Sequence, residues 1–132
     1  AFAAKNGFTE TLYGRRRYFE GIRSSLPFVR AQAERMAINA PIQGTSADVI
    51  KIAMKQVYDH IHSKQTKKDA ALLLQVHDEL LFEVRKNHVN DLVPELQKIM
   101  EGAMEKKLTK GVPLTVDVRV GDNWGEMKKL EI

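Results

Sequence analysis

The sequence predicts an α+β fold, with antiparallel strands covered on one side by helices. Three observations carry this. Leu72 to Val84 holds two apolar runs around the polar triplet His77-Asp78-Glu79, the pattern of an antiparallel hairpin with the triplet at or near its tip. Residues 28–40 and 45–63 repeat apolar side chains at helical spacing. Leu114, Val116, Val118 and Val120 alternate with Thr115, Asp117 and Arg119, as in a half-buried strand.

In order, Asn6-Gly7 suits the C-cap of a short opening helix. Phe8 to Leu12 and Arg15 to Phe19, punctuated by Gly14, read as a small hairpin carrying Arg15, Arg16 and Arg17. Ser24, Ser25 and Pro27 mark a loop and a helix start. The next stripe, Phe28, Val29, Ala33, Met36, Ala37 and Ala40, is expected to break at Pro41 and Gly44. Thr45-Ser46-Ala47-Asp48 matches a capping box that would start a new helix, with Val49, Ile50, Ala53, Met54, Val57 and Ile61 inward, ending near Ser63. Lys64 to Asp69 is a Lys-rich connector. Beyond the central hairpin, Asn87 or Asn90 would cap a helix containing Val93, Leu96, Ile99, Met100, Ala103 and Met104, broken by Gly111-Val112-Pro113. Gly121 to Gly125 turns the chain into a charged tail.

In the hairpin's second run Leu80, Phe82 and Val84 share one face, and the adjacent carboxylates Asp78 and Glu79 stand at one end. Two neighbouring carboxylates repel unless a cation lies between them, and oxygen donors of this kind suit Mg²⁺. Polar triplets between strands are usually plain solvated turns, and by itself the stretch names no function, but the turn lacks the Asn-Gly or Asp-Gly of a tight two-residue loop, which suggests a triplet kept for its chemistry.

With 132 residues, 43% hydrophobic and 29% charged, the chain is one ordinary globular domain's worth. No apolar run approaches the roughly 18–20 residues of a membrane span, so no membrane partner is expected. The absence of cysteine excludes disulfides and thiolate metal sites and suits a cytoplasmic setting. The first residue is Ala1, and we read the chain as a piece of something longer. Seven Lys/Arg against three Glu in residues 1–35 account for the whole net charge of +4. Six of those seven are arginines, and arginine forks pair with phosphates bidentately, so a polyanion partner is implied, beside the plainer reading of an Arg-rich solvated face.

Three passages, Thr11-Leu12-Tyr13-Gly14-Arg15-Arg16-Arg17, then Glu34-Arg35-Met36-Ala37-Ile38-Asn39-Ala40-Pro41-Ile42-Gln43-Gly44-Thr45-Ser46-Ala47-Asp48, then Gln75-Val76-His77-Asp78-Glu79-Leu80, occur in this order. Together with the Gly121 to Trp124 ending, they resemble the C-terminal part of a family A DNA polymerase, the bacterial DNA polymerase I type, over essentially the whole chain. The resemblance implies an antiparallel palm-type sheet with packed helices, residues 1–132 forming the C-terminal palm portion with adjoining fingers elements at about 1–45. It implies a DNA-directed DNA polymerase of replication and repair, bacterial or phage-type, adding deoxynucleotides to a primer 3′-OH by two-metal phosphoryl transfer. Its partners would be primer–template DNA, deoxynucleoside triphosphates and the remainder of the polymerase chain.

On matching positions, Asp78 stands for the carboxylate that binds the catalytic Mg²⁺ pair, and Glu79 for its less essential neighbour. His77 resembles the residue touching the terminal primer nucleotide, and Arg35, Asn39 and Gln43 resemble those contacting the nascent pair and template from the minor groove. Arg15, Arg16 and Arg17 are candidates for backbone contacts near the template. The residues agree with these roles. Positions 35, 39 and 43 follow i, i+4, i+8 spacing, and every correct base pair offers minor-groove acceptors to such donors. No passage matches the family's other metal-binding Asp or its nucleotide-gripping helix, so the chain alone is expected to be inactive. The alternatives are a free-standing duplex-binding module, and a metal-dependent phosphodiesterase using His77, Asp78 and Glu79. For the latter, His60, His62 and His88 show no ligand spacing and read as surface residues.

Overall fold

In the computed structural model, which describes residues 2–63 and 69–130, the chain opens on a short helix, α1 (Phe2–Asn6). Gly7 ends it as expected, with φ of +80° and its N–H donating to the Ala3 carbonyl at 2.7 Å. Strands β1 (Phe8–Glu10) and β2 (Arg16–Tyr18) then pair antiparallel with Thr9 opposite Arg17. A 3₁₀ turn, Glu20–Arg23, buries Ile22 and leads to helix α2 (Pro27–Ser63), whose first residue is the proline that needs no N–H there.

The largest departure from expectation is in α2. It runs 37 residues without a break at Pro41 or Gly44, and Thr45 starts no new helix. Pro41 removes one backbone donor, but the polar residues that follow are engaged elsewhere. Thr45 Oγ1 accepts the Leu12 N–H at 3.1 Å, and the Asp48 carboxylate takes the Arg15 guanidinium at 2.8 Å. Phe28 and Met36, placed on the inward stripe by spacing, are 70% and 40% exposed, because the face that is buried consists of Ala33, Ala37 and Ala40 against Phe19 and Ile22.

The chain forms two compact units, Ala1–Val49 and Ile50–Ile132, with α2 running from one into the other. The Lys-rich connector falls largely on residues 64–68, outside the described residues. In the second unit, strands β3 (Ala70–Val76) and β4 (Glu79–Val84) form the central hairpin, with a register irregularity between Leu72 and Leu74. Its inner face lies on α2 and on α3 (Val89–Glu101): Val57, Ile61, Ala70, Leu92 and Leu96 form a core joined by Phe82 and Val84. Val57 and Ile61 are 0% and 1% exposed, and side chains of this kind contribute about 1.5–3 kcal/mol each on burial.

Neither Asn87 nor Asn90 caps α3. A 3₁₀ turn, Lys86–His88, carries the chain into it, His88 holds the cap position without a side-chain bond, and the helix stops at Glu101, before Ala103 and Met104. A single turn follows, α4 (Lys106–Thr109), after which Lys110 and Gly111 take positive φ. The strand expected from Leu114 to Val120 keeps its burial alternation, but only β5 (Arg119–Val120) pairs, with β6 (Lys128–Lys129). Its middle is held by α3 side chains instead. Gln97 Nε2 donates to the Val116 carbonyl at 3.0 Å, and the Val116 N–H donates to Glu101 Oε1 at 3.1 Å. The result is mixed α and β with three two-stranded antiparallel ladders among the described residues.

Candidate functional site

The unbroken helix decides the placement of the first group of candidates. At 3.6 residues per turn, Arg35, Asn39 and Gln43 advance only slightly around α2 and form one row, and all three are exposed. Alongside them lie Ile38 and Ile42, 75% and 71% exposed, which sequence reasoning passed over. Their i, i+4 spacing opposite the alanine stripe was the available signal. This exposed surface therefore joins a row of hydrogen-bonding side chains to a row of branched apolar ones.

The loop between β1 and β2 packs on this stretch of α2. The Thr11 hydroxyl accepts the N–H groups of Tyr13 and Arg15, both at 3.2 Å, and Gly14 turns with φ of +80°. Arg15 then reaches α2 twice, Nε to Asp48 Oδ1 at 2.8 Å and Nη2 to the Gly44 carbonyl at 3.0 Å. The approach is close enough to require glycine. A Cβ on Gly44 would stand 2.6 Å from the Thr11 methyl. Gly44, Thr45 and Asp48, read from sequence as a helix break and cap, are the landing points of this loop.

Its neighbours in the arginine cluster do other things. Arg16 bonds Glu10 at 2.6 Å and lies over the Phe8 ring, 4.5 Å from its centroid. The Glu10 hydrogen bond, aided by Tyr18, raises its guanidinium pKa further. Arg17 is exposed on β2 with its guanidinium 5.5 Å from the Phe19 ring centroid.

In the second unit the hairpin tip is tighter than the residue types suggested. Val76 pairs with Glu79, leaving His77 and Asp78 as a two-residue loop, and Glu79 is the first residue of β4. His77 takes φ of +52°, a left-handed conformation costing an L-residue about 1–2 kcal/mol. The Gln75 side-chain amide donates to the His77 carbonyl across the turn. His77, Asp78 and Glu79 are all exposed. Adjacent hard carboxylates at a rigid turn fit Mg²⁺ by donor type. Among the described residues, no group of three or more His, Cys, Asp or Glu could hold a metal ion.

The other histidines are engaged separately. His60 Nε2 lies 2.8 Å from Glu95 Oε2, His62 stacks on Tyr58 with centroids 3.8 Å apart, and His88 lies at the α3 cap. No helix of the described residues is long and apolar enough to cross a membrane.

Comparison with known proteins gives one consistent result. The family model for DNA polymerase family A matches residues 1–126. DNA polymerase I of Rhizobium leguminosarum is 46% identical over 126 residues, which is 96% of this chain and 12% of that protein. DNA polymerase theta of Drosophila melanogaster is 37% identical over 136 residues, covering 99% of this chain and 6% of that protein. Among solved structures, the POL domain of Pol1 from M. smegmatis, in complex with DNA primer-template and dNTP, superposes with a TM-score of 0.72. It is 45% identical, and the match covers 78% of this chain and 18% of that one. The chain spans a small part of the length of these relatives, but within that part the agreement is nearly end to end. This chain belongs to DNA polymerase family A.

Proposed function

We propose that the chain is the portion of a template-directed DNA polymerase that meets the primer end and tests the newly formed base pair. The observation that carries this is the continuity of α2 through Pro41, which puts Arg35, Asn39 and Gln43 in one exposed row. Donors in such a row can reach the purine N3 and pyrimidine O2 atoms, which sit in equivalent places in every correct pair. They would hold a pair of the right shape whatever its sequence. The M. smegmatis Pol1 domain, solved with primer-template DNA and dNTP, supports duplex and nucleotide as partners.

Asp78, with Glu79 beside it, would hold Mg²⁺ at the primer 3′ end, and His77 would contact the terminal primer nucleotide. The metal, when bound, supplies charge stabilisation for phosphoryl transfer. This chain's part is to place carboxylate oxygens at the hairpin tip and to hold the terminal pair in register. Arg16 and Arg17, on the exposed strand β2, would meet backbone phosphate. No passage of the sequence matches the family's other metal-binding Asp or its nucleotide-gripping helix, so alone the chain would not extend a primer. Joined to the remaining polymerase segments it would work in replication and repair in the cytoplasm.

The test is an NMR titration of the labelled chain with a primer–template duplex, with and without Mg²⁺, at low and moderate salt. Shifts at Arg35, Asn39, Gln43 and His77 with duplex, and at Asp78 with Mg²⁺, are expected. Shifts confined to Arg15–Arg17 that vanish with salt would overturn the pair-testing role and leave only counterion-driven contact.

A further inference from the structure

Pro41 and Gly44 make residues 41–44 the weakest part of α2. Pro41 has no N–H for the Ala37 carbonyl and crowds it, and a helical glycine costs about 1 kcal/mol relative to alanine. Gln43 sits inside this weak segment. The end of this segment, from Gly44 on, is held not by the helix ladder alone but by the loop Thr11–Arg15. The loop is organised internally by the Thr11 hydroxyl and by the Thr11 N–H to Arg15 carbonyl bond at 3.0 Å. It delivers three bonds to α2 within one turn: Leu12 N–H to Thr45 Oγ1, Arg15 Nη2 to the Gly44 carbonyl, and Arg15 Nε to Asp48. The Asp48 side chain is only 12% exposed, so its bond to Arg15 is shielded from water and salt on one side.

We propose that Arg15 is a positioning residue that braces α2 just after its proline, fixing the rotation of the turn that presents Gln43 to the base pair. This rests on the pair-testing role given above to Gln43 and separates Arg15 from its neighbours Arg16 and Arg17. Arginine is required because one planar guanidinium must bond a carbonyl and a carboxylate one turn apart, a fork that a lysine ammonium cannot reproduce. The consequence is for specificity. A Gln43 turn free to rotate would accept mispositioned pairs as readily as correct ones, because the correct acceptor positions would no longer be the only ones in reach.

The test compares the native chain with Arg15→Ala, Arg15→Lys and Asp48→Asn. Two readouts are used: amide hydrogen exchange, and duplex affinity as a function of salt with the Gln43 side-chain amide followed by NMR. A brace predicts exchange at residues 45–48 at least tenfold faster in Arg15→Ala and Asp48→Asn, with Val57 and Ile61 unchanged. It also predicts that the duplex-induced Gln43 shift falls by half or more while the slope of log affinity against log salt stays the same. A phosphate contact predicts the reverse, with Arg15→Ala lowering the slope by about 0.9, Asp48→Asn silent and residues 45–48 unaltered, and would overturn the proposal. Should Arg15→Ala unfold the chain, Arg15→Lys decides: local acceleration at 45–48 supports the brace, and native exchange there overturns it. If the native chain shows no Gln43 response to duplex, the pair-testing reading has failed. The exchange arm then decides the brace by itself.

Discussion

The two places that carry the candidate residues are held in opposite ways. The Gln43 turn of α2 is fixed from far along the chain, by bonds from Leu12 and Arg15 that span 29 and 33 residues. The His77-Asp78 tip is fixed locally, by its own strand pairing and by the Gln75 amide two residues away. Only the base of that hairpin, at Ala70, Phe82 and Val84, joins a core. The difference matches what the proposed role would ask of each place. A surface that tests pair shape works only if its donors are already in position before the duplex arrives. A carboxylate pair at an exposed tip can take its final geometry from the metal and the substrate it meets.

The comparison breaks most visibly if the tip proves structural. Asp78→Asn removes one negative charge with almost no change in shape, at an exposed two-residue loop. In a polymerase chain containing this segment, primer extension is expected to fall about a thousandfold, from several kcal/mol of lost charge stabilisation. The urea midpoint of the 132-residue chain should move by no more than about 0.5 kcal/mol of stability, as for other exposed positions. Equal losses of stability and activity would mean that Asp78 supports the fold.

At the braced turn the expectation is inverted, with stability moving first. Gly44→Ala gains about 1 kcal/mol of helix propensity. Against this, the new methyl meets the Thr11 methyl at 2.6 Å. Thr11 is buried, and its hydroxyl serves two N–H groups, so it cannot turn away freely. Overpacking of this kind costs about 1–3 kcal/mol, leaving a net loss of about 1 kcal/mol by denaturant unfolding. A gain equal to the propensity term would show that the loop is not seated tightly on α2.

The same contrast explains what was legible in the sequence. Locally determined features were readable: the Asn6-Gly7 helix end, the small arginine hairpin, the Pro27 helix start and the central hairpin with Phe82 and Val84 on one face, the face that the structure packs on the core. Features set by long-range contacts were not. Thr45 and Asp48 have the residue types of a capping box, but their side chains bond Leu12 and Arg15, and Gly44 makes room for Thr11. The alternation from Leu114 to Val120 is real in burial, yet Gln97 and Glu101 take the backbone bonds that a partner strand would have made. The family resemblance named Arg35, Asn39 and Gln43, their spacing allowed a row, and the unbroken helix made the row continuous. In each case the residue type limits what a side chain can bond, and the tertiary neighbour decides which bond forms.

The finest probe of the comparison is His77. Its φ of +52° is available to glycine without steric cost, while an L-side chain there gives up about 1–2 kcal/mol. Glycine also loses more entropy on folding, about 0.5–1 kcal/mol, so His77→Gly should stabilise the chain by at most about 1.5 kcal/mol. The tip would then be sturdier than the native one and, on the proposed role, poorer in function, because the ring proposed to contact the primer terminus is gone. Native urea stability combined with weakened duplex-induced shifts at Asp78 and Glu79 would place the ring's value entirely in DNA contact. A loss of stability would instead mean that the imidazole holds the turn, and that the local pairing of Val76 with Glu79 is not enough to shape it.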